Sequence, residues 1–125
     1  MPPKITPKLW FDTEAEEAAL AGQRFVAING GPEFTFDEAV SLEISCETQD
    51  EVDYFSERLS EGGEQRQCGW LKDRYGLSWQ VVPTGMEEVF ADSDPQRAQR
   101  TMQAMLGMGK LDIAALRRAA DGPVT

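Results

Sequence analysis

None of the 125 residues is a histidine. That removes Ser-His-Asp and Cys-His catalysis and every metal site built on imidazole. Two cysteines remain, Cys46 and Cys68, with no spacing that indicates a disulfide framework or a zinc knuckle. Both read as free thiols packed as small hydrophobes. Cys68 makes a poor nucleophile, since Lys72 or Arg74 could lower its pKa only by folding back toward it. What is left for chemistry is a set of strand residues, Trp10, Asn29, Glu43, Trp70 and Gln80. Their carboxylate and amides offer hydrogen bonds, and the indoles offer flat apolar walls. No catalytic residue and no metal-ligand set emerges, because Glu43 is the one strong donor and lysine or tryptophan donates nothing.

Strands must position these side chains. Ile5 to Phe11 is a short apolar run containing Pro7, which places a strand at an edge or just beyond the proline. Thr13 and Glu16 have capping-box spacing ahead of a brief helix, EAEEAALA, that ends at Gly22. Arg24 to Asn29 reads as the next strand, stopped by Gly30-Gly31-Pro32, and EFTFDEA reads as a loop. Val40 to Cys46 alternates, with Val40, Leu42, Ile44 and Cys46 on one face and Ser41, Glu43 and Ser45 on the other. Thr48 to Glu51 is a second capping box; Val52, Phe55 and Leu59 form an apolar stripe, and Gly62-Gly63 ends the helix.

Two strands then flank the turn Lys72 to Gly76, with Gly76 suited to a left-handed closing position. Leu77, Trp79 and Val81 share a face; Ser78, Gln80 and Val82 share the other. Asp94-Pro95 caps a helix whose buried stripe is expected at Ala98, Met102, Met105 and Leu106. Leu111-Asp112 opens a last short helix, IAALRRAA. For the tryptophans the plainer role is core or a dimer seam, and for Glu43 it is a solvated polar face. Only a curled sheet would turn that face into a cavity.

Twenty-two acidic residues against twelve basic ones leave a net charge of −10. Such a chain is repelled by nucleic-acid backbones and by anionic lipid. No apolar run approaches the ~20 residues of a membrane helix, and MPPKITPKLWFD has no signal-peptide pattern. A cytoplasmic protein is expected, with neither nucleic acid nor membrane as partner.

A strand-cap-helix pattern occurs twice, at LWFDTEAEEAA and at LEISCETQDEVDYF, which suggests a duplicated β-α-β unit. LWFD, the NGGP of Asn29 to Pro32 followed by Phe34, and above all GGE…CGWLKDRYGLSWQVVP resemble the PhnB-like proteins. These belong to the vicinal-oxygen-chelate superfamily, with glyoxalase I, bleomycin-resistance proteins and extradiol dioxygenases. The stretch DPQRAQRTMQAMLGMGKLDIAAL is similar to the family's C-terminal extension. Members often carry the label 3-demethylubiquinone-9 3-methyltransferase.

The resemblance implies an α+β fold, a curled mixed sheet of βαβββ-type modules (the glyoxalase/bleomycin-resistance fold). A single domain would hold a shortened first module at 5–31, a second module at 40–83 and a helical extension at 86–120. Leu20-Ala21-Gly22 would join the first helix directly to the module's last strand, and three residues reach at most about 10 Å, too little for two strands. Where the superfamily is catalytic, a divalent metal held by His, Glu or Gln chelates two substrate oxygens. The matching positions are Lys8 or Trp10, Asn29, Glu43 and Gln80, a set that cannot complete a stable site. The expectation is therefore a protein that binds a small molecule in the sheet cavity without cofactor or metal. The alternative is a metal-dependent glyoxalase- or dioxygenase-type enzyme. Methyl transfer is not expected, since the common S-adenosylmethionine fold needs a Gly-rich turn between a strand and a helix, and Gly30-Gly31-Pro32 leads into a loop. A homodimer is expected, because a shortened module leaves strand edges that a partner covers.

Overall fold

The computed structural model describes residues 5–12, 19–20 and 23–122. The chain divides into two compact units, 1–37 and 38–125.

In the first unit, β1 (Lys8–Phe11) runs parallel to β4 (Val26–Asn29), in register from Lys8 opposite Val26 to Phe11 opposite Asn29. β1 starts immediately after Pro7, whose carbonyl accepts a 3.0 Å hydrogen bond from the Val26 N–H. The proline thus contributes the one backbone group it still has. Between these strands lie β2 (Ala19–Leu20) and β3 (Gln23–Arg24), paired antiparallel. Thr13, Glu16 and most of the expected helix lie outside the described residues. The expected end of that helix is corrected, since Ala19 and Leu20 are strand. Cross-strand pairing with Gln23 and Arg24 claims these two residues. A small hairpin therefore stands where a direct connection was expected.

Asn29-Gly30-Gly31-Pro32 closes this unit. The Gly30 N–H donates to the Phe11 carbonyl at 2.8 Å, continuing the ladder by one bond. The Trp10 indole lies over Gly30 and donates from Nε1 to the Gly31 carbonyl at 3.0 Å. A Cβ at Gly30 would sit 2.1 Å from the Trp10 ring, so the close approach requires glycine. Phe34 meets Trp10 edge-on at 4.9 Å between ring centroids, and Phe36 meets Phe11 at 5.4 Å.

The second unit begins with β5 (Ser41–Cys46), α1 (Gln49–Ser60) and β6 (Glu64–Gln65). A 3-10 turn (Gln67–Gly69), β7 (Trp70–Lys72) and β8 (Ser78–Pro83) follow. Three helices complete it: α2 (Met86–Phe90), α3 (Pro95–Leu106) and α4 (Ile113–Asp121). The strand order is β5-β8-β7-β6, with β5 and β8 parallel and the other pairs antiparallel. This is a complete βαβββ module, because β6, invisible to alternation at two residues, supplies the strand that sequence reading left out. Among the described residues no helix is long and apolar enough to cross a membrane.

Local chemistry explains these elements. Thr48 caps α1 by accepting from the Glu51 N–H at 3.2 Å, and Asp94 and Asp112 cap α3 and α4 in the same way. Asp73 organises the β7–β8 turn. Its carboxylate accepts from the Tyr75 and Leu77 N–H groups and from the Trp79 indole, while Gly76 takes the left-handed conformation. The core lies between one face of the sheet and the helices, with Cys46, Val52, Leu71, Val81 and Leu111 fully buried. Val40 precedes β5 and is exposed, so it does not join that face.

The α3 stripe also needs correction. Thr101 is buried, whereas Met102 and Leu106 are exposed. The buried line runs one residue earlier than apolarity alone indicates, and Thr101 tolerates it by donating its hydroxyl to the Arg97 carbonyl at 3.0 Å. The extension is docked by backbone groups. The Cys68 and Gly69 N–H groups donate to the Met108 and Gly109 carbonyls at 2.9 and 2.8 Å. From α1, Gln49 donates to the Leu111 carbonyl at 3.0 Å and accepts from the Ile113 N–H at 2.8 Å.

Candidate functional site

Strand register decides which candidate side chains share a surface. Glu43 on β5 stands opposite Gln80 on β8, and Gln80 stands opposite Trp70 on β7. Side chains directly across a ladder project from the same face, so the three form one row. The flanking row Leu42, Trp79 and Leu71 faces the other way, where Trp79 and Leu71 are buried in the core and Leu42 is half-buried. Glu43 is exposed, and Gln80 and Trp70 are half-buried. Neighbouring strands lie about 4.8 Å apart, so the row spans roughly 10 Å, the width of one or two rings. Gln80 donates from Nε2 to the Ser41 hydroxyl at 2.9 Å, which fixes its amide and leaves the carbonyl oxygen as an acceptor.

Beyond Trp70 the surface turns ionic. Arg66 bonds Glu38 at 2.5 Å and Glu64 at 2.7 Å, and it lines an open cleft with Trp70 and Gln67. The guanidinium holds the Glu38 carboxyl below its ordinary range, and the two carboxylates raise Arg66 in turn.

Trp10 and Asn29 belong to the first unit. Asn29 pairs with Phe11 while Trp10 pairs with Ile28, so Trp10 and Asn29 project from opposite faces of the β1–β4 ladder. One face of that ladder presents one of them, not both, which corrects the expectation that both line a single cavity. Trp10 is committed to Gly30, Gly31 and Phe34, and Asn29 is exposed. The donor set does not fit the superfamily's metal: the second-unit row offers one carboxylate, one amide and an indole. Among the described residues no group of three or more His, Cys, Asp or Glu is placed to hold a metal ion.

Sequence reasoning missed a second concavity. A cavity of about 380 Å³ lies past the ends of β5 and β8, beneath α2, α3 and α4. Cys46 and Pro83 close the strand side, and Met86, Val89, Ile113 and Leu116 supply apolar wall. Burial raises the Cys46 thiol above its ordinary value, with Glu51 adding to the shift. Arg97 crosses from α3 to bond Asp92 at 3.2 Å and Asp121, on α4, at 3.0 Å. The Asp94 backbone N–H, then Arg97, hold Asp92 below its ordinary value. The available signal in the sequence was Asp94-Pro95, which fixes where α3 starts and therefore where Arg97 points.

Comparison with known proteins bears on the fold these surfaces share. The chain matches no curated protein. A solved structure of a PhnB protein from Bacillus cereus is 26% identical, with a TM-score of 0.56 over 66% of this chain and 100% of that one. The family model described as 3-demethylubiquinone-9 3-methyltransferase matches residues 19–82, from β2 almost to the end of β8, and leaves the three C-terminal helices outside. Because that match covers just over half of the chain, the protein belongs to the PhnB-like family, for which methyltransferase is a family title.

Proposed function

We propose that the protein binds a small, flat, polar organic molecule on the open face of the β5-β8-β7 sheet and holds it without a catalytic metal. The observation that carries this reading is the in-register row of Glu43, Gln80 and Trp70 on the face turned away from the core. An indole offers a stacking wall, the fixed Gln80 amide an acceptor, and Glu43 a charge that selects donors or cations. Metal chemistry of the superfamily type needs several hard or borderline donors converging with open positions for substrate. One carboxylate among these three side chains is a poor start. The methyltransferase title also lacks physical support, because Gly30-Gly31-Pro32 leads into turn and loop rather than into the helix that the common S-adenosylmethionine fold places after its Gly-rich turn.

A screen of small aromatic and dicarbonyl compounds, read by amide and indole chemical shifts, tests this. Binders should perturb Trp70, Gln80 and Glu43 together. Trp70→Ala should weaken them about tenfold, the loss of one stacking contact of ~1–2 kcal/mol. Near-stoichiometric zinc, nickel, manganese or iron in protein purified without a histidine tag would overturn the metal-free reading. Binders that leave this row untouched would overturn the location.

A further inference from the structure

The cavity under the C-terminal helices is lined mostly by residues beyond the family match, with Cys46 and Glu47 inside it, and lies on the core side of the sheet, away from the Glu43 row. We propose that it is a second ligand site, suited to a small amine carrying an apolar tail. Its volume, about 380 Å³, falls in the range of small-molecule pockets. The apolar wall of Met86, Val89, Ile113 and Leu116 can take a ring or short alkyl chain.

Charge selects the head group. Glu47, Asp92 and Asp121 line the cavity against Arg97 and Arg117, which leaves one negative charge in excess. Arg97 is already shared between two carboxylates, so its charge is spent within the wall. Asp121 remains 71% exposed at its side chain with one oxygen engaged, so the other can accept from an ammonium. The chain as a whole carries −10, which concentrates cations and repels anions at a concave site. Arg117 is the opposing consideration, a guanidinium that would favour a carboxylate. It is exposed, as Asp121 and Glu47 are, so solvent screens all three alike and the preference for a cation rests on the one-charge excess of carboxylates around the cavity.

Three probes with the same phenethyl tail separate these possibilities: 2-phenylethylamine, 2-phenylethanol and 3-phenylpropanoate, each titrated into the full chain with amide chemical shifts as readout. The amine should bind most tightly, the alcohol more weakly and the acid least, with shifts centred on Val89, Ile113 and Leu116. Asp121→Asn should cut the preference for amine over alcohol about three- to tenfold while leaving the alcohol's affinity unchanged. Should that variant loosen α4, Glu47→Gln gives the same test from the strand side. Val89→Trp should abolish all three. Tighter binding of the acid, shifts centred on Trp70 and Gln80, or no saturable amine binding would each overturn the proposal.

Discussion

In both units the first strand runs parallel to the last strand of the unit, over four residue pairs in β1–β4 and six in β5–β8. The β5–β8 ladder is extended by β7 and β6 and backed by α1, and every fully buried apolar side chain among the described residues belongs to its unit. Among the described residues, the first unit adds to its β1–β4 ladder a separate β2–β3 pair of two residues in each strand. Its described packing is aromatic, with Trp10 against Gly30 and Phe34, and Phe11 against Phe36. The same parallel arrangement therefore does not give an equal core. A parallel pair needs covered faces, and among the described residues the cover of the first unit's ladder comes from loop aromatics.

The sharpest way to break that contrast is Leu71→Ala. Leu71 is fully buried at the centre of β7, between Gln65 and Trp79 in the ladder. Removing its side chain should cost the second unit about 2–5 kcal/mol, the usual range for a buried leucine. Urea unfolding followed at the Val52 and Val81 amides measures the loss, while Gly30 and Gly31 report the first unit. An identical loss at all four amides would mean that the two units unfold as one.

Gly30→Ala addresses the other unit. The new Cβ would lie about 2 Å from the Trp10 ring, so the indole must leave its place over Gly30 and strain its bond to the Gly31 carbonyl. A cost of about 1–3 kcal/mol is expected, as for overpacking elsewhere. It should appear at β1 and β4 amides and in Trp10 ring shifts. Unchanged Trp10 shifts would show that the indole does not hold the unit together.

Much of the second unit was legible in the sequence. Val52 and the capping Thr48 mark α1, the alternation from Leu42 to Cys46 marks β5, and Asp73 with Gly76 marks the turn. Those signals are local, and each is written within a few residues. β6 and α2 were not legible, since two and five residues carry no period; they form because neighbours supply their partners. The α3 stripe was misplaced for a related reason. Hydropathy ranks Met102 and Leu106 above Thr101, but the hydroxyl of Thr101 satisfies itself on Arg97 and can be buried. Of the candidate site, the strand faces gave Glu43 with Gln80, and register added Trp70. Register across β1 and β4 separates Trp10 from Asn29, because one residue of offset reverses a side chain's face.

Electrostatics gives the smallest of the expected effects, and it distinguishes the second unit by pH. Arg66 holds Glu38 below its ordinary value, Lys110 and then Gln49 do so for Asp53, and the Asp94 backbone N–H with Arg97 does so for Asp92. A carboxylate with a depressed folded pKa contributes stability that is complete above its unfolded value and is lost as pH falls through the folded one. Cys46 works in the opposite sense: its raised thiol contributes below the ordinary thiol range and loses that contribution as pH rises through it. The second unit should therefore have a stability plateau near neutrality, declining below about pH 4 and again above about pH 9. Added salt should flatten the acid limb, where the pairs are exposed to solvent, and leave the alkaline limb unchanged, because that limb arises from burial. Cys46→Ala should remove the alkaline slope alone. A urea midpoint for the second unit that stays constant from acid to neutral pH would mean that these ion pairs add nothing measurable to its stability.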